Sequence, residues 1–345
     1  MNQAPVKVSI IIPHHKGETI LYKCLQSIHN TSYSNYEIIV VDNNSKDQSI
    51  LKSKKEFPEI KVLSLEQNLG YAGGCNKGAL EAQGELLLFL NNDTIHEKNW
   101  IEPLIAMMDN DKDIGSVQPK IKNINNNNKF DYAGGSGGFI DIFCFPFTRG
   151  RIFNSIEIDT NQYDNRLEIF WSSGCAFITR RSIFNRITFD STLFAYMEEI
   201  DYAWKLQLLG YKNYVEPKSV IYHDGGELSS NNYFKSYYNH RNSLILFLTN
   251  HNLIFMAIFL LPKLLFEIIS LVRYLLLLNF SGIVAQLSSI MWILSHPIYI
   301  IRRIIKINKF KRTPLCSIIK KMYKPSIVIT YFIFLKKKFS DLSIS

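Results

Sequence analysis

The sequence predicts an α/β protein: a mostly parallel sheet with helices on both faces, followed by an apolar helical region. Strand-like and helix-like segments alternate over residues 1–120, a pattern typical of parallel sheets. One of these strands, Leu86–Leu90, is apolar throughout, as expected where both faces of a sheet are covered. Strongly apolar segments after residue 251 predict the appended helical region.

The individual elements follow from the spacing of apolar side chains. β-branched or apolar runs predict strands at residues 8–12, 38–41, 60–65 and 86–90. Apolar residues at helical spacing predict helices at 17–30 and 72–82. The Asn- and Gly-rich segment 122–138 predicts a loop, and the chain beyond it predicts a strand at 174–181 and a helix at 198–209.

Positive charge is concentrated at the C-terminus. The net charge is +9, yet residues 301–345 hold twelve Lys or Arg and one Asp, which leaves about −2 for the rest. A nucleic-acid-binding domain would carry its basic face on the folded body, whereas a basic tail beside apolar segments predicts contact with an anionic membrane. Five scattered cysteines and an N-terminus without a secretory-signal pattern favour a cytoplasmic environment.

The apolar region predicts two helices at a membrane. Segment 253–278 is apolar, but an arc of about 120° holds its charged residues, which favours a helix lying in the interface; these are Lys263, Glu267 and Arg273. Segment 283–301 is uncharged and about long enough to span a bilayer. A hairpin turning at 279–282 would leave both ends on the basic side. Packing in a soluble core or a dimer interface is the alternative.

Polar side chains follow each of the four strands of the first part. Ligands of parallel sheets bind beyond the carboxyl ends of the strands, so these clusters predict a binding site: residues 13–16, 42–45, 67–79 and 91–93. Singly, each cluster is weak evidence, since Asp42 alone is compatible with a helix cap and 67–79 with a plain glycine turn. The chain lacks both the G-x-G-x-x-G fingerprint after these strands and the lysine-containing P-loop, so ATP hydrolysis is unsupported.

Three acids stand at the start of the helix predicted at 198–209: Glu198, Glu199 and Asp201. Favourable charge at a helix N-terminus is the simple explanation. Crowded carboxylates, however, raise one another's pKa, and a raised pKa suits a general base.

In order and spacing, these segments resemble the family 2 glycosyltransferases of the GT-A (Rossmann-like) fold, and most closely their bacterial rhamnosyltransferase-like branch. The resemblance rests on VSIIIPHHKG, EIIVVDNNSKDQS, NLGYAGGCNKGA, LLLFLNNDT, GCAFITRRSIF and FDSTLFAYMEEIDYAWKLQLLGYK. It covers about residues 6–250. It implies a glycosyltransferase domain at 1–250, with a nucleotide-binding half at 1–120 and an acceptor and catalytic half at 121–250, followed by a membrane-associated region at 251–345.

The resemblance implies a nucleotide-sugar donor and a divalent cation. Asp42 would bind the base, on which His15 would stack; the implied donor-binding residues are Pro13, His15, Asp42, Asn44, Asn68, Gly70, Asn76 and Asn92. Residues 91–93 stand where the family has its D-x-D metal motif, so Asp93 would be the main ligand, with Asn91 and His223 beside it. An ordinary turn histidine is the alternative for His223. Oxygen ligands suit Mn²⁺ or Mg²⁺, and a histidine favours Mn²⁺.

The same resemblance implies that Glu199 is the base that deprotonates an acceptor hydroxyl, although the family more often has Asp at this position. Glu198 or Asp201 would serve if the helix were rotated. One in-line displacement would invert the anomeric centre. Trp171, Arg181 and Arg241 are further candidates for acceptor or diphosphate contacts, with a core position for Trp171 and a solvated one for Arg181 as the alternatives.

The combined hypothesis is an inverting glycosyltransferase at the cytoplasmic face of the cell membrane, and the resembled branch suggests a rhamnosyltransferase. It would extend a glycan or lipid-linked glycan in cell-surface polysaccharide synthesis. The first alternative is a non-catalytic nucleotide-sugar-binding or scaffold protein on the same fold. The second is a membrane protein whose basic tail recruits nucleic acid or other anionic partners.

Overall fold

A computed structural model describes residues 5–225 and 233–344 and confirms the α/β prediction. The strands are β1 (Val8–His14), β2 (Tyr36–Asp42), β3 (Lys61–Ser64), β4 (Leu86–Leu90), β5 (Thr94–His96), β6 (Ile114–Asn123), β7 (Asn126–Phe130), β8 (Gly138–Ile140), β9 (Pro146–Thr148), β10 (Arg151–Ile152), β11 (Ser155–Ile156), β12 (Leu167–Ile169), β13 (Ala176–Arg180) and β14 (Lys212–His223). The α-helices are α1 (Glu18–His29), α2 (Ser49–Glu56), α3 (Gly70–Glu81), α4 (Ile101–Asn110), α5 (Arg181–Phe184), α6 (Glu198–Leu208), α7 (Tyr233–Asn250), α8 (Leu253–Leu276), α9 (Phe280–Ser295), α10 (Pro297–Asn308), α11 (Leu315–Lys320) and α12 (Ile327–Phe332). Two short 3-10 helices lie at Ser191–Leu193 and Phe339–Asp341.

The main sheet has the strand order β12-β14-β6-β13-β4-β1-β2-β3. The four strands of the first part run parallel, and β13 then enters antiparallel between β4 and β6. β5 and β7 are added to β14 and β6, and a separate sheet has the order β11-β10-β9-β8. The strands predicted in the first part therefore occur, each within about two residues of its expected ends.

Alternation along β4 shows why this strand is apolar throughout. Leu86, Leu88 and Leu90 pack in the core beneath α1 and α4, while Leu87 and Phe89 pack beneath α3, α5 and α6. All five side chains are fully buried. The strand needs no polar face because helices cover both sides of the sheet.

The loop predicted at 122–138 is wrong in its first half, which forms a β-hairpin. Strands β6 and β7 pair antiparallel around residues 124 and 125. The side chain of Asn123 makes the turn, because its Oδ1 accepts hydrogen bonds from the backbone amides of Asn125 and Asn126, both at 3.0 Å. Asparagine side chains stabilise hairpin turns as well as loops, so an Asn-rich segment does not distinguish the two.

The apolar region departs from its predicted geometry in two ways. Lys263 and Glu267 of α8 are buried against the protein and do not face solvent or headgroups. The continuous helix predicted at 283–301 is instead two helices, α9 and α10, with a 75° bend at His296. Pro297 begins α10, because proline lacks the amide hydrogen needed inside a helix and fits its first turn. Among the described helices, α8 alone is long and apolar enough to cross a membrane; the bent α9–α10 pair would be a second crossing if it counted as one span.

The boundary predicted after residue 250 does not separate two packed units. Tyr323 bridges to Asp141, the carboxylate of Asp141 accepts a hydrogen bond from the amide of Ile327 at 2.9 Å, and Ile327 packs with the small sheet. On α10, Ile307 lies in the same core cluster as Trp204 of α6. The C-terminal region therefore folds back onto the α/β body.

Candidate functional site

The polar clusters predicted after the strands come together at one edge of the sheet. In the strand register His14 is opposite Asp42, and Asp42 is opposite Ser64. β4 ends beside them, and its last residue, Leu90, is opposite Ala176 at the start of β13. Residues 91–93 and 173–175 consequently lie at the same edge as His14 and Asp42.

On the donor side of this edge, Asp42 forms a local turn. Its Oδ1 accepts hydrogen bonds from the amide and the hydroxyl of Ser45, at 2.8 and 2.6 Å. The next residue, Asn43, belongs to the predicted cluster 42–45 but was given no role of its own. It joins two clusters, because its side chain donates to the carbonyl of Gly70 at 2.8 Å and accepts from the amide of Leu69 at 2.9 Å. His15 is exposed and contacts the carbonyl of Asn43 through Nδ1 at 3.0 Å.

The other predicted donor-binding residues lie along the same edge. Pro13 is half-buried beside His14, and Asn44 adopts a left-handed conformation at φ 61°. Asn68 is exposed and accepts a hydrogen bond from the amide of Gly70 at 2.8 Å, which forms a local turn just before α3. Asn92 points to the neighbouring strand, where its Nδ2 lies 2.7 Å from His14 Nδ1.

His14 links the donor side to the cluster after β4. It is buried, and its Nε2 contacts the hydroxyl of Ser49, the first residue of α2, at 2.7 Å. Burial lowers the pKa of His14, which favours the neutral ring with one donating and one accepting nitrogen. His14 thus connects α2 to Asn92 through polar contacts. Sequence analysis had placed His14 in a cluster but had given it no role.

The candidate metal ligands lie side by side. His223 Nε2 is 3.2 Å from Asp93 Oδ1 and 3.4 Å from the Asn91 side-chain nitrogen. On the other side of the ring, Nδ1 lies 2.8 Å from Oδ1 of Asp131, a fully buried carboxylate. Asp131 orients the imidazole so that Nε2 is presented toward Asp93, as carboxylates do behind metal-binding histidines.

This arrangement fits a hard divalent cation with few protein ligands. Across residues 5–225 and 233–344, no three acidic, histidine or cysteine side chains form a complete metal-binding group. Asp93 and His223 supply two donors, and among the described residues the buried Oδ1 of Asp93 has no polar partner besides its 3.2 Å contact with His223 Nε2. Mg²⁺ and similar ions are often held by one or two side chains together with substrate phosphates and water.

The three acids at the start of α6 occupy different environments. Glu198 is 4% exposed, and burial together with the charge of Glu199 raises its pKa well above the usual range. Glu199 is half-buried, and burial raises its pKa to about 7. Each has an Oε2 without a hydrogen-bond partner among the described residues. A carboxyl group with these properties is suited to accepting a proton near neutral pH.

Asp201, in contrast, is part of a buried ion-pair network. It contacts Arg303 of α10, Lys205 Nζ at 2.7 Å and the side-chain nitrogen of Asn250 at 3.0 Å. Burial alone would raise its pKa, but the positive charges of Arg303 and Lys205 lower it below the usual range. The carboxylate is fully buried and paired with two positively charged side chains. Its role is therefore structural, and it is not positioned as a base.

Residues 174 and 175 connect the acids to the candidate metal ligands. The carbonyl of Cys175 accepts a hydrogen bond from the amide of Asn91 at 2.8 Å. Gly174 faces the other way: a side chain added there would lie 3.7 Å from Cβ and Cδ of Glu199. Tyr71 of α3 donates its hydroxyl to the Gly174 carbonyl. The Asp93 cluster and Glu199 therefore flank one short segment at the same edge of the sheet.

The segment that precedes the acids, residues 189–197, is here called the acid loop. It contains three non-glycine residues with left-handed backbones, Phe194, Tyr196 and Met197, at φ 64°, 66° and 69°. Such conformations are strained and persist only where the surroundings hold them. Two predicted site residues do this: Asn76 exchanges hydrogen bonds with the backbone of Phe189 at 3.0 and 3.1 Å, and the backbone of Gly70 packs on Phe194.

Arg241 also holds the acid loop, and the structure does not place it as a diphosphate contact. Its guanidinium donates to the carbonyls of Thr192 and Leu193, at 2.6 and 3.1 Å. The adjacent Asn242 donates to the carbonyls of Ala195 and Tyr196, at 3.1 and 2.6 Å. Arg241 is 5% exposed and committed to backbone oxygens, so its predicted role is corrected to loop support.

Two further predictions disagree with the structure. Trp171 is 5% exposed and its Nε1 donates to the carbonyl of Phe139 at 2.8 Å, so its ring is core and cannot stack on a sugar. Arg181 follows β13, whose Arg180 is opposite Leu86, the first residue of β4. It therefore lies at the opposite edge of the sheet, a strand length of roughly 13 Å from the site, where it donates to the carbonyl of Ala82 at 3.1 Å.

Comparison with known proteins places the chain among glycosyltransferases. The family model described as "Glycosyl transferase family 2" matches residues 9–188, about half of the chain. A UDP-Glc:alpha-D-GlcNAc-diphosphoundecaprenol beta-1,3-glucosyltransferase of Escherichia coli is 35% identical over 103 residues, which cover 29% of this chain and 40% of that protein. Glycosyltransferase GlyG of Streptococcus pneumoniae is 26% identical over 194 residues, 53% of this chain and 60% of that protein. Both matches cover less than two thirds of the relative's length.

Among solved structures, the crystal structure of GalNAc-T7 with UDP, GalNAc and Mn²⁺ superposes with a TM-score of 0.52 at 19% identity. The superposition covers 64% of this chain and 44% of that one. At this level of identity the likeness concerns the fold.

Proposed function

This chain belongs to glycosyl transferase family 2, and we propose on that premise that it transfers a sugar from a nucleotide-diphosphate donor to a hydroxyl group of a glycan acceptor. The observation that carries the proposal is that residues 174–175 contact Asn91 of the Asp93 cluster on one side and Glu199 on the other. In this proposal Asp93 would hold a cation at the donor diphosphate, and Glu199 would deprotonate the acceptor.

The donor would bind across the ends of β1, β2 and β4. Asp42 and the exposed ring of His15 are the groups for the nucleoside, and Asp93, His223 and Asn91 would hold Mn²⁺ or Mg²⁺. When bound, the cation offsets the negative charge that develops on the leaving nucleoside diphosphate. The Mn²⁺ and UDP in the crystal structure of GalNAc-T7 support this choice of cofactor and donor class.

Glu199 is the proposed base, with Glu198 behind it. Its unpartnered oxygen and its pKa near 7 allow it to take the proton of an acceptor hydroxyl as that oxygen attacks the anomeric carbon. A single displacement of this kind inverts the anomeric centre. Asp201 and Arg303 hold the start of α6, so that Glu199 faces the segment 174–175.

The acceptor is proposed to be a lipid-linked glycan at the cytoplasmic face of the cell membrane, in the synthesis of a surface polysaccharide. The printed name of the Escherichia coli relative describes a diphosphoundecaprenol-linked acceptor and a UDP-glucose donor, and the apolar, basic C-terminal region suits the same location. A rhamnose nucleotide, proposed from the sequence resemblance, and UDP-glucose are the first donors to test.

The decisive experiment compares Glu199→Gln with the wild type and with Glu81→Gln, an exposed acid on α3. Transfer by Glu199→Gln is expected to fall by about 10²–10⁴, the usual contribution of a general base, while donor binding in the presence of Mn²⁺ stays within twofold. The control should transfer normally. Full transfer by Glu199→Gln would contradict the assignment of the base, and a wild type that binds nucleotide sugars without turnover would favour a non-catalytic binding protein.

A further inference from the structure

Helices α8, α9 and α10 share an outward surface that is almost entirely aliphatic. The outward side chains are between 46% and 79% exposed. The list comprises Leu261, Leu265, Ile268, Ile269, Val272, Leu276, Val284, Leu287, Met291, Leu294, Ile298, Ile301 and Ile305. Such an apolar area far exceeds what scattered surface leucines produce and indicates an interaction surface.

The polar side of α8 faces the protein, which fixes the orientation of this surface. Lys263 Nζ donates to the hydroxyl of Ser243 on α7 at 2.9 Å and pairs with Glu267 at 3.2 Å. Glu267 also contacts His240 of α7 and Gln286 of α9, both at 2.8 Å. The helix cannot turn its charged side to water without breaking these buried contacts, so its apolar side stays outward.

Basic residues border the apolar surface along α10. At 100° per residue, Ile298, Ile301 and Ile305 form one exposed stripe, and the exposed Arg302, Lys306 and Lys309 form the next. The third stripe, Arg303 and Ile307, is buried against the α/β body. An apolar stripe flanked by lysine and arginine is the pattern of helices that lie in the headgroup region of a membrane.

A second apolar and basic segment joins this surface from the C-terminus. Phe332, Ile333, Phe334 and Leu335 are exposed and are followed by Lys336, Lys337 and Lys338. Arg273 of α8 lies over the ring of Phe332 at 5.7 Å, so the segment 332–335 adjoins α8.

We propose that the outward sides of α8–α10, together with residues 332–335, form a leaflet surface that lies flat in one anionic leaflet without crossing the bilayer. The proposal deepens the membrane location given under the proposed function. A crossing by α8 would carry Lys263, Glu267 and their partners on α7 into the hydrocarbon, where buried polar groups are costly. A second copy of the chain is a poorer occupant, because two basic borders would face each other.

Lipid selectivity tests the occupant of this surface. The full chain is floated with vesicles of phosphatidylcholine alone or with about 30% phosphatidylglycerol. Binding to the anionic vesicles is expected to be at least tenfold stronger and to weaken in high salt, with Arg302→Gln and Lys306→Gln each weakening it about fivefold. Equal binding to both vesicles, or a stable dimer in solution that ignores vesicles, would overturn the proposal.

Paired substitutions test the surface itself. Leu265→Gln with Ile269→Gln should weaken flotation more than tenfold, whereas Leu51→Gln, at an exposed leucine of α2 outside the leaflet surface, should not. Transfer to a short soluble acceptor should be unchanged in all of these variants. A variant that loses vesicle binding but still transfers sugar would support the leaflet surface. Failure of the proposed function would instead appear as a wild-type protein that transfers no sugar.

Reagent accessibility separates a flat helix from a spanning one. With the exposed Cys316 replaced by serine, Leu278→Cys places a thiol at the α8–α9 turn. A membrane-impermeant thiol reagent trapped inside the vesicles is expected to leave this cysteine unlabelled when protein is added outside. Labelling from inside would show a spanning hairpin and refute the flat orientation.

Discussion

Glu199 and Asp201 are separated by one residue, yet their surroundings assign them opposite chemistry. Burial raises the pKa of Glu199 to about 7, while Arg303 and Lys205 overcome burial at Asp201 and lower its pKa. Sequence analysis found the acidic cluster and favoured Glu199 as the base, with Glu198 and Asp201 as alternatives. Arg303 lies 102 positions from Asp201, and no local pattern can indicate a partner at that distance.

The pH dependence of transfer should report the raised pKa of Glu199. The base must be ionised, so kcat/KM is expected to fall as the pH drops below about 7. Burial, and not the charge of Glu198, raises the pKa of Glu199, so Glu198→Gln should leave this acid limb within about half a pH unit of its wild-type position. The profile is measured at saturating Mn²⁺ at every pH. A limb in the wild type at the ordinary glutamate pKa of 4.5 would contradict the assignment.

Asp131 should influence cation binding without being a ligand. Its Oδ1 lies 2.8 Å from Nδ1 of His223 and holds the ring toward Asp93. Asp131→Asn is expected to weaken Mn²⁺ binding about 10- to 100-fold, the usual effect of losing such a partner, with the exposed Asp113→Asn as control. The measurement is a Mn²⁺ titration of the folded variants by electron paramagnetic resonance. Unchanged affinity would show that His223 does not depend on Asp131.

At the scale of elements, the site depends on how the acid loop is held. Asn76 of α3 and Arg241 of α7 bind its backbone, and Arg303 of α10 pairs with Asp190 at 2.5 Å inside the loop and with Asp201 just after it. Three helices that are distant in sequence therefore fix the direction of Glu199. The sequence motifs located Asn76 and Arg241 near the site but predicted that they bind the donor or its diphosphate. A motif does not reveal whether its polar groups face a ligand or a strained backbone.

Arg303→Met should affect both stability and the catalytic step. It leaves the buried carboxylate of Asp201 without its main partner, a change that usually costs about 3–5 kcal/mol. We expect a lower Tm and a kcat reduced about tenfold or more, with donor Kd within twofold, because α6 loses its fixed orientation. Arg303→Lys should restore part of kcat, and the adjacent, exposed Arg302→Met should leave Tm and kcat unchanged. A variant with a lower Tm but normal kcat would show that Arg303 is structural only.

Prediction of strands succeeded for the buried strands β1, β2 and β4 and also for the partly exposed edge strand β3. The first four strands are apolar runs closed by polar clusters, and these patterns are sufficient on their own. The hairpin β6–β7 was missed because its strand Asn126–Phe130 is mostly exposed and Asn-rich. The small sheet was missed because strands of two or three residues, such as Arg151–Ile152, depend on tertiary pairing and leave no periodic signal.

At the scale of the whole molecule, the apolar C-terminal region and the α/β body are one structure. α10 presents Ile301 and Ile305 outward and sends Arg303 inward to the base of the acid loop. The chain then returns to the small sheet, where Ile327 packs with Phe139 and Phe147. Sequence composition changes sharply near residue 250, but hydrophobic contacts continue across this position. The boundary at residue 250 stays a prediction.

Deletion of residues 252–345 tests this unity. Composition alone predicts that the remaining chain is a soluble catalytic domain released from the membrane. The structure predicts instead that it fails to fold cooperatively, because Asp190 and Asp201 lose Arg303 and the core around Trp204 loses its cover from α10 and α11. Thermal unfolding in mild detergent, compared with the full chain, gives the measurement. A truncated chain that unfolds in one sharp transition near the Tm of the full chain, and still binds donor, would show that the C-terminal region is a detachable anchor.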